Sequence, residues 1–306
     1  MIELHGVTKV YRSLFGRRVV HAVEDFSLEI ATGEIFGIAG PNGAGKSTLI
    51  NLLLGFLQPT RGRVAIDGLA PRAFVETRGV GYLSELVAIP PGWRTERALL
   101  RYAVLAGVPA GTRGQRVETA VAQLGLEEHR RKRVKQLSKG NLQRLGLAQA
   151  LLSDSDLIIL DEPTHGFDPL WTQRFRDMGR DLKRPGRTVV IASHNLDELE
   201  RVADRVGIID RGRLQHVAEI GHRATASRAI YRIVVAAPSP LVAEAFPGSE
   251  PVREGRAEEV RTAPLDLGTL NDGLARLIAG GVHIVAAVPE RSRLETAFRR
   301  AVGAEE

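Results

Sequence analysis

The sequence predicts an α/β fold around a parallel sheet covered on both faces, followed by a small α+β domain. Two apolar runs, "DLIILDEP" (156–163) and "RTVVIASH" (187–194), have the composition of buried parallel strands, with a helical pattern, "PLWTQRFRDMGRDL" (169–182), between them. A third run, "EIFGIAG" (34–40), passes through a glycine-rich loop into "KSTLINLLLGFL" (46–57), a helix closed by "QPTRG". Near residue 220 the pattern changes to shorter alternating segments, which divides the chain into domains at 1–220 and 221–306.

Taken in order, "IELHGVTKVY" and "VVHAVEDFSLEI" read as strands of an N-terminal β subdomain, with "ATGE" as the turn into the third strand. Between about 86 and 152 the chain is mostly helical in pattern and reads as an insertion, with "ERALLRYAVLAG" and "QRVETAVAQLGL" as amphipathic segments. Its last segment, "LSKGNLQRLGLAQALL" (137–152), places Leu142, Leu145, Leu147, Ala148, Leu151 and Leu152 at near-helical spacing and reads as amphipathic too. Ser138 stands at its N-cap position. A helix start presents free N–H groups and partial positive charge, which suits a phosphate. After residue 220, the segments read strand, helix, strand, strand, helix, strand, helix, an order compatible with a ferredoxin-like domain.

Composition narrows the classes. With 306 residues, 43% hydrophobic and 25% charged, the chain reads as a soluble globular protein. No apolar run approaches the roughly 18 residues of a membrane span, and the N-terminus lacks a signal-peptide pattern, so a cytoplasmic chain is expected. The absence of cysteine excludes disulfides, thiolate metal sites and a cysteine nucleophile. The net charge of +6 is carried by thirty-six arginines and only six lysines. Contact with nucleic acid or anionic lipid is one reading of that bias, and codon bias is another.

"GPNGAGKST" fits G-x-x-x-x-G-K-[ST] and lies between a strand and a helix, where the mechanism requires it. Gly40, Pro41, Asn42, Gly43, Ala44 and Gly45 would fold around phosphate oxygens. Lys46 would reach the β- and γ-phosphates, and Ser47, with Thr48 beside it, would ligate Mg²⁺. In "LIILDEP", Asp161 and Glu162 stand at the C-terminal end of a strand, the edge where α/β sheets bind ligands. Asp161 would hold Mg²⁺ through water, and Glu162 would accept a proton from an attacking water, unless it is a solvated turn residue.

"GPNGAGKST", "LSKGN", "LIILDEP", "GFDP" and "ASH", in this order, resemble the nucleotide-binding subunit of ATP-binding cassette (ABC) transporters over roughly residues 2–220. The resemblance implies a P-loop NTPase cassette with a mixed-sheet core, an N-terminal β subdomain and a helical insertion. It implies ATP hydrolysis with Mg²⁺, a head-to-tail homodimer, and a peripheral place on the cytoplasmic face of the inner (plasma) membrane beside separate membrane subunits. "LSKGN" resembles the signature motif, so Ser138, Lys139, Gly140 and Asn141 would cap the ATP of the opposite subunit. Tyr11 resembles the aromatic residue that stacks on adenine, against the alternative of a buried strand tyrosine. His194 resembles the switch histidine that contacts the γ-phosphate and orients the catalytic glutamate. Asp168 resembles the D-loop residue that crosses the dimer interface, whereas His165 reads as structural.

Some positions depart from the family pattern. Glu85 replaces the usual Q-loop glutamine and would face Mg²⁺ or the attacking water, adding a negative charge beside the triphosphate. Lys139 replaces a glycine and either faces the trans phosphate or lies in solvent. "YLSE" with "LSKGN", one cassette and a C-terminal extension are most similar to subunits paired with ABC-2-type exporters. The extension would serve dimerisation or regulation. The basic run "EEHRRKRVKQ" reads as a solvated face, a contact with anionic lipid or the membrane subunit, or a nucleic-acid contact, the last disfavoured because no aromatics are interleaved. No nucleic-acid partner is expected. The alternative function is a soluble ABC ATPase acting on ribosomes or nucleic acid, although neither a second cassette nor a long coiled-coil interruption is present.

Overall fold

The computed structural model describes residues 1–12, 19–220, 230–253, 257–289 and 293–303. The chain divides into two compact units, Met1–Gly221 with Ala297–Glu306, and His222–Thr296.

The first unit opens with two long antiparallel strands, β1 (Ile2–Arg12) and β2 (Val19–Ile30). Residues such as Val23, Phe26, Leu28 and Ile30 are buried while their neighbours are more exposed, the alternation of a one-sided strand. With β4 (Arg61–Ile66) they form a three-stranded sheet in the order β2-β1-β4. The second sheet runs β5-β6-β7-β3-β8-β9, from β5 (Gly81–Leu83), β6 (Leu157–Asp161), β7 (Thr188–Ser193), β3 (Ile35–Ala39), β8 (Arg205–Asp210) and β9 (Arg213–Glu219). The first five are parallel and β9 is antiparallel. Every residue of β3, β6 and β7 is buried, as continuous apolar runs between helices must be.

Helix α1 (Lys46–Leu53) follows β3, and α2 (Pro71–Arg78) follows β4. Predicted to run to residue 57, α1 instead ends at Leu53 with Leu54 as its C-cap, because Gly55 turns at φ 70 and a Cβ there would stand 2.5 Å from the Arg72 nitrogen. The helical insertion contains α3 (Thr95–Leu105), α4 (Arg113–Gln123), single 3₁₀ turns at Glu127–His129 and Val134–Gln136, and α5 (Lys139–Ala150). The amphipathic reading of α5 is corrected by the structure. Residues Gln143 to Ala148 are all buried, so the helix is enclosed on more than one side, and its polar Gln143 and Arg144 bond carbonyls. Then come α6 (Pro169–Leu182) and α7 (Leu196–Val202), each followed by a strand of the large sheet. One core cluster joins the small sheet, the large sheet and α1 through Phe26, Phe36, Ile38, Leu49 and Ile50.

In the second unit β10 (Tyr231–Val235), α8 (Leu241–Ala245), β11 (Glu250–Arg253), β12 (Glu258–Arg261), α9 (Leu267–Ala279) and β13 (Ile284–Pro289) follow in the predicted order; α10 (Arg293–Val302) comes next in the chain, and from Ala297 onward it is counted with the first unit. The sheet is antiparallel in the order β11-β12-β10-β13, the split arrangement of a ferredoxin-like fold. Ile233, Val235 and Val260 share a core with Phe246, Leu270 and Leu277. Gly273 allows the close approach of helix α9, since a Cβ there would meet the Phe246 ring at 2.3 Å.

Candidate nucleotide site

The loop from Gly40 to Gly45 leaves the C-terminal end of β3 and turns into α1 on Gly45, at φ 109. A side chain at Gly45 would meet the Ala22 carbonyl at 2.4 Å, and one at Gly40 the Ile209 carbonyl at 2.5 Å, so the backbone admits only glycine there. The loop is also pinned from the β8–β9 turn. Gly212 N–H donates to Ala44 O at 2.8 Å, and the Gly212 carbonyl accepts from Glu24 N–H at 2.9 Å, tying loop, turn and β2 together. Lys46 is buried; its ammonium donates to Gly40 O at 2.7 Å and to Pro41 O at 3.3 Å. An ammonium has three donors, so one remains for a phosphate oxygen. Ser47 is exposed at the first turn of α1. Tyr11 is 40% exposed at the end of β1, which excludes the buried alternative, and it pairs with Val20, two residues before Ala22.

The carboxylates lie at the adjoining sheet edge. Asp161 ends β6 and is buried; burial first, then the neighbouring Glu85 and Glu162, push its carboxyl up to about 6, against the pull of Lys46 and Ser47. Glu85 is exposed. Glu162 is 7% exposed, which excludes a solvated turn residue, and its φ of 49 is left-handed, at a cost of about 1–2 kcal/mol for a residue with a Cβ. What holds it is visible. Its N–H donates to Ala192 O at 2.9 Å, Oε1 accepts from the His194 backbone N–H at 3.0 Å, and Oε2 lies 2.8 Å from His194 Nδ1. Lys46 Nζ stands 4.0 Å from Oε1. The strained turn thus aims a fixed, buried carboxylate toward the phosphate loop.

The start of α5 forms as its cap chemistry dictates. Ser138 Oγ accepts from Asn141 N–H at 3.2 Å. Lys139 is exposed, and a Cβ on Gly166 would stand 3.1 Å from its Cγ, so its stem lies along the turn before Asp168. Gly140 also approaches that turn, where a Cβ would be 2.8 Å from Gly166 O. Asn141 is held within the chain, its Nδ2 2.9 Å from His129 Nε2 and its Oδ1 accepting from Arg144. Asp168 is exposed and caps α6, with Oδ1 accepting from Trp171 N–H at 2.8 Å.

A family model described as "ABC transporter" matches residues 23–165. The methionine import ATP-binding protein MetN of Geobacillus kaustophilus is 37% identical, over 72% of this chain and 66% of its own length. The Nod factor export ATP-binding protein I of Bradyrhizobium sp. (strain SNU001) is 35% identical, over 69% and 68%. The chain belongs to the ABC transporter ATP-binding proteins. A bacterial ABC transporter cassette solved as a dimer superposes with a TM-score of 0.64 at 24% identity, over 72% of this chain and 99% of that one, which shows the shared fold. The chain spans less than two thirds of the length of several of the curated relatives it matches, from 61% to 66%.

Within this ABC cassette, the structure brings Lys46, Ser47, Glu85, Asp161, Glu162 and His194 to one sheet edge. Ser138, Lys139, Gly140, Asn141 and Asp168 gather separately, at the start of α5 and the adjoining turn. Sequence reading passed over four side chains that support the edge. Gln143 Nε2 donates to Glu162 O at 3.0 Å, bonding the start of α5 to the strained turn. Ser193 Oγ lies 3.4 Å from both Glu162 Oε2 and Glu198 Oε2, and Thr164 Oγ1 donates to Glu198 Oε2 at 2.6 Å. Glu198, four residues after His194 in "SHNLDE", is the one with a sequence signal: a carboxylate on the apolar face of a short helix.

Proposed function

We propose that this chain is the ATP-hydrolysing subunit of an ABC transporter exporter, closing head to tail with a second copy on ATP and driving separate membrane subunits. The observation that carries this reading is the buried, strained Glu162, fixed by His194 beside the Lys46 loop. Loop N–H groups and Lys46 bind the triphosphate, and Tyr11 offers a ring face to the adenine. The oxygen donors of Ser47, Asp161 and Glu85 suit a hard cation, and Mg²⁺ bound there would neutralise charge on the phosphates. Glu162 takes the proton of the attacking water, while His194 keeps its carboxylate oriented. In this reading Ser138, Lys139, Gly140 and Asn141 close over the partner's γ-phosphate, with Asp168 crossing the interface.

The cassette is 1–220, with residues 221–306 serving dimerisation or regulation. Coupling segments of the membrane subunits seat around Glu85 to Trp93 and the helical insertion, where Tyr82, Val87, Ile89, Tyr102 and Gln149 line a cavity of about 190 Å³. Export is favoured by the "YLSE" and "LSKGN" pattern and by the likeness to the Nod factor export protein. The chain then works peripherally, on the cytoplasmic face of the membrane. Glu162→Gln tests the reading: ATP binding is retained, turnover falls by about 10² to 10⁴, and the protein accumulates as an ATP-held dimer in size-exclusion chromatography. Near-normal hydrolysis would place the base elsewhere, with Glu85 next.

A further inference from the structure

The positive charge of this chain is concentrated. Residues 91–101 and 130–135 contain eight basic side chains and one acidic one, a net of +7, whereas the whole chain carries +6. Including the preceding Glu127 and Glu128 still leaves +5 in these two short stretches. A compositional bias toward arginine would spread the charge over the surface, and here the remainder of the molecule is close to neutral.

The fold makes one surface of these stretches. Residues 130–135 run alongside 91–96: Thr95 N–H donates to Lys132 O at 3.0 Å, Glu96 N–H to Arg130 O at 3.1 Å and Val134 N–H to Trp93 O at 2.8 Å. This places Arg94 directly opposite Arg133, a like-charge pair on facing backbone positions. Arg94 stands at the N-cap of α3 and Arg97 and Arg101 lie one turn apart on it, with Arg101 4.1 Å over the Trp93 ring. Arg130 is neutralised by Glu96 and Glu118. Arg94, Arg97, Arg101, Arg131, Lys132, Arg133 and Lys135 are exposed, and none pairs with a carboxylate among the described residues. The same face of α3 continues into exposed apolar groups, Leu100 at 37%, Val104 at 53% and Leu105 at 77%.

We propose that this face of the helical insertion docks on an anionic phospholipid bilayer. Clustered cations beside a shelf of exposed leucine and valine match a surface of anionic headgroups over hydrocarbon. Nucleic acid fits less well, because the ring available for stacking, Trp93, is covered by Arg101. The inference rests on the reading that the chain works beside membrane subunits. Protein-free vesicles separate the two ideas, since a cassette that ignores lipid can still hydrolyse ATP and couple to its subunits.

The experiment is sedimentation of the full-length chain with vesicles of phosphatidylcholine, with or without one third phosphatidylglycerol. Binding is expected only to the anionic vesicles and is weakened by salt. The triple variant Arg97→Gln, Arg131→Gln, Lys132→Gln is expected to bind about 10²-fold more weakly, at about fivefold per cation. Arg61→Gln, Arg63→Gln, Arg78→Gln removes equal charge from exposed arginines outside these stretches and is expected to bind as wild type. Unchanged thermal unfolding and basal ATP hydrolysis identify folded variants. Equal loss in both triple variants, equal binding to neutral vesicles, or tighter binding to RNA or duplex DNA than to anionic vesicles at the same salt would each overturn the proposal.

Discussion

Glu198 has no exposed surface, and its carboxyl is pushed up to about 7, chiefly by burial and further by the charge of Glu162, against the opposing hydrogen bonds of Thr164 and Ser193 and the attraction of Arg176. Its Oε1 is buried without a hydrogen-bond partner among the described residues. The folded value lies above the ordinary 4.5, so the native state holds a proton that the unfolded chain has released. That contribution is complete below about 4.5 and is lost as pH rises through about 7. Asp161, raised to about 6, acts in the same direction. The expected outcome is that wild type loses thermal stability between pH 5 and pH 8 more steeply than Glu198→Gln, with the variant several degrees more stable at pH 8. Parallel pH profiles in scanning calorimetry would show that Glu198 does not titrate there.

At the scale of elements, the guanidinium of Arg144 ties the start of α5 to its neighbouring elements. Arg144 donates to Leu124 O and Gly125 O, each at 3.0 Å, bonds Asn141, and lies 4.0 Å over the Trp171 ring of α6. Arg144→Ala leaves two carbonyls without that donor, so a loss of about 2–4 kcal/mol is expected in urea unfolding. Arg144→Lys restores only part of it, because an ammonium cannot fork between those acceptors and stack as well. Full recovery in the lysine variant would mean that charge alone holds the element. The same helix marks where sequence reading stopped. The loop Gly40–Gly45, the ends of β6 and β7 and the cap at Ser138 were legible because their chemistry is local and fixed by spacing. The burial of α5 was not, since Gln143 and Arg144 read as a polar face until their partners, 19 and 20 residues away, are placed. Nor were Ser193 and Glu198, whose partners Glu162 and Thr164 lie 31 and 34 residues away. Strands β4, β5, β8 and β9 carry no comparable local signal, being short and taking their pairing from other segments of the sheets.

Across the whole molecule, two groups of candidate site residues stand on separate elements. The loop and carboxylates lie at the edge of the large sheet, and the Ser138 start opens the enclosed helix of the insertion. In the proposed head-to-tail dimer, each ATP lies between the loop of one chain and the signature of the other. The most direct test mixes two inactive variants, Lys46→Ala and Ser138→Arg, carrying different tags so that the heterodimer can be isolated. Each homodimer is defective at both sites. The heterodimer has one doubly defective site and one in which an intact loop meets an intact signature. A wild-type chain paired with either variant first establishes that a single good site hydrolyses ATP. Given that, the account predicts hydrolysis by the mixed heterodimer above both parent homodimers. Activity no higher than the parents would contradict it, because a site confined to one chain cannot be restored by mixing.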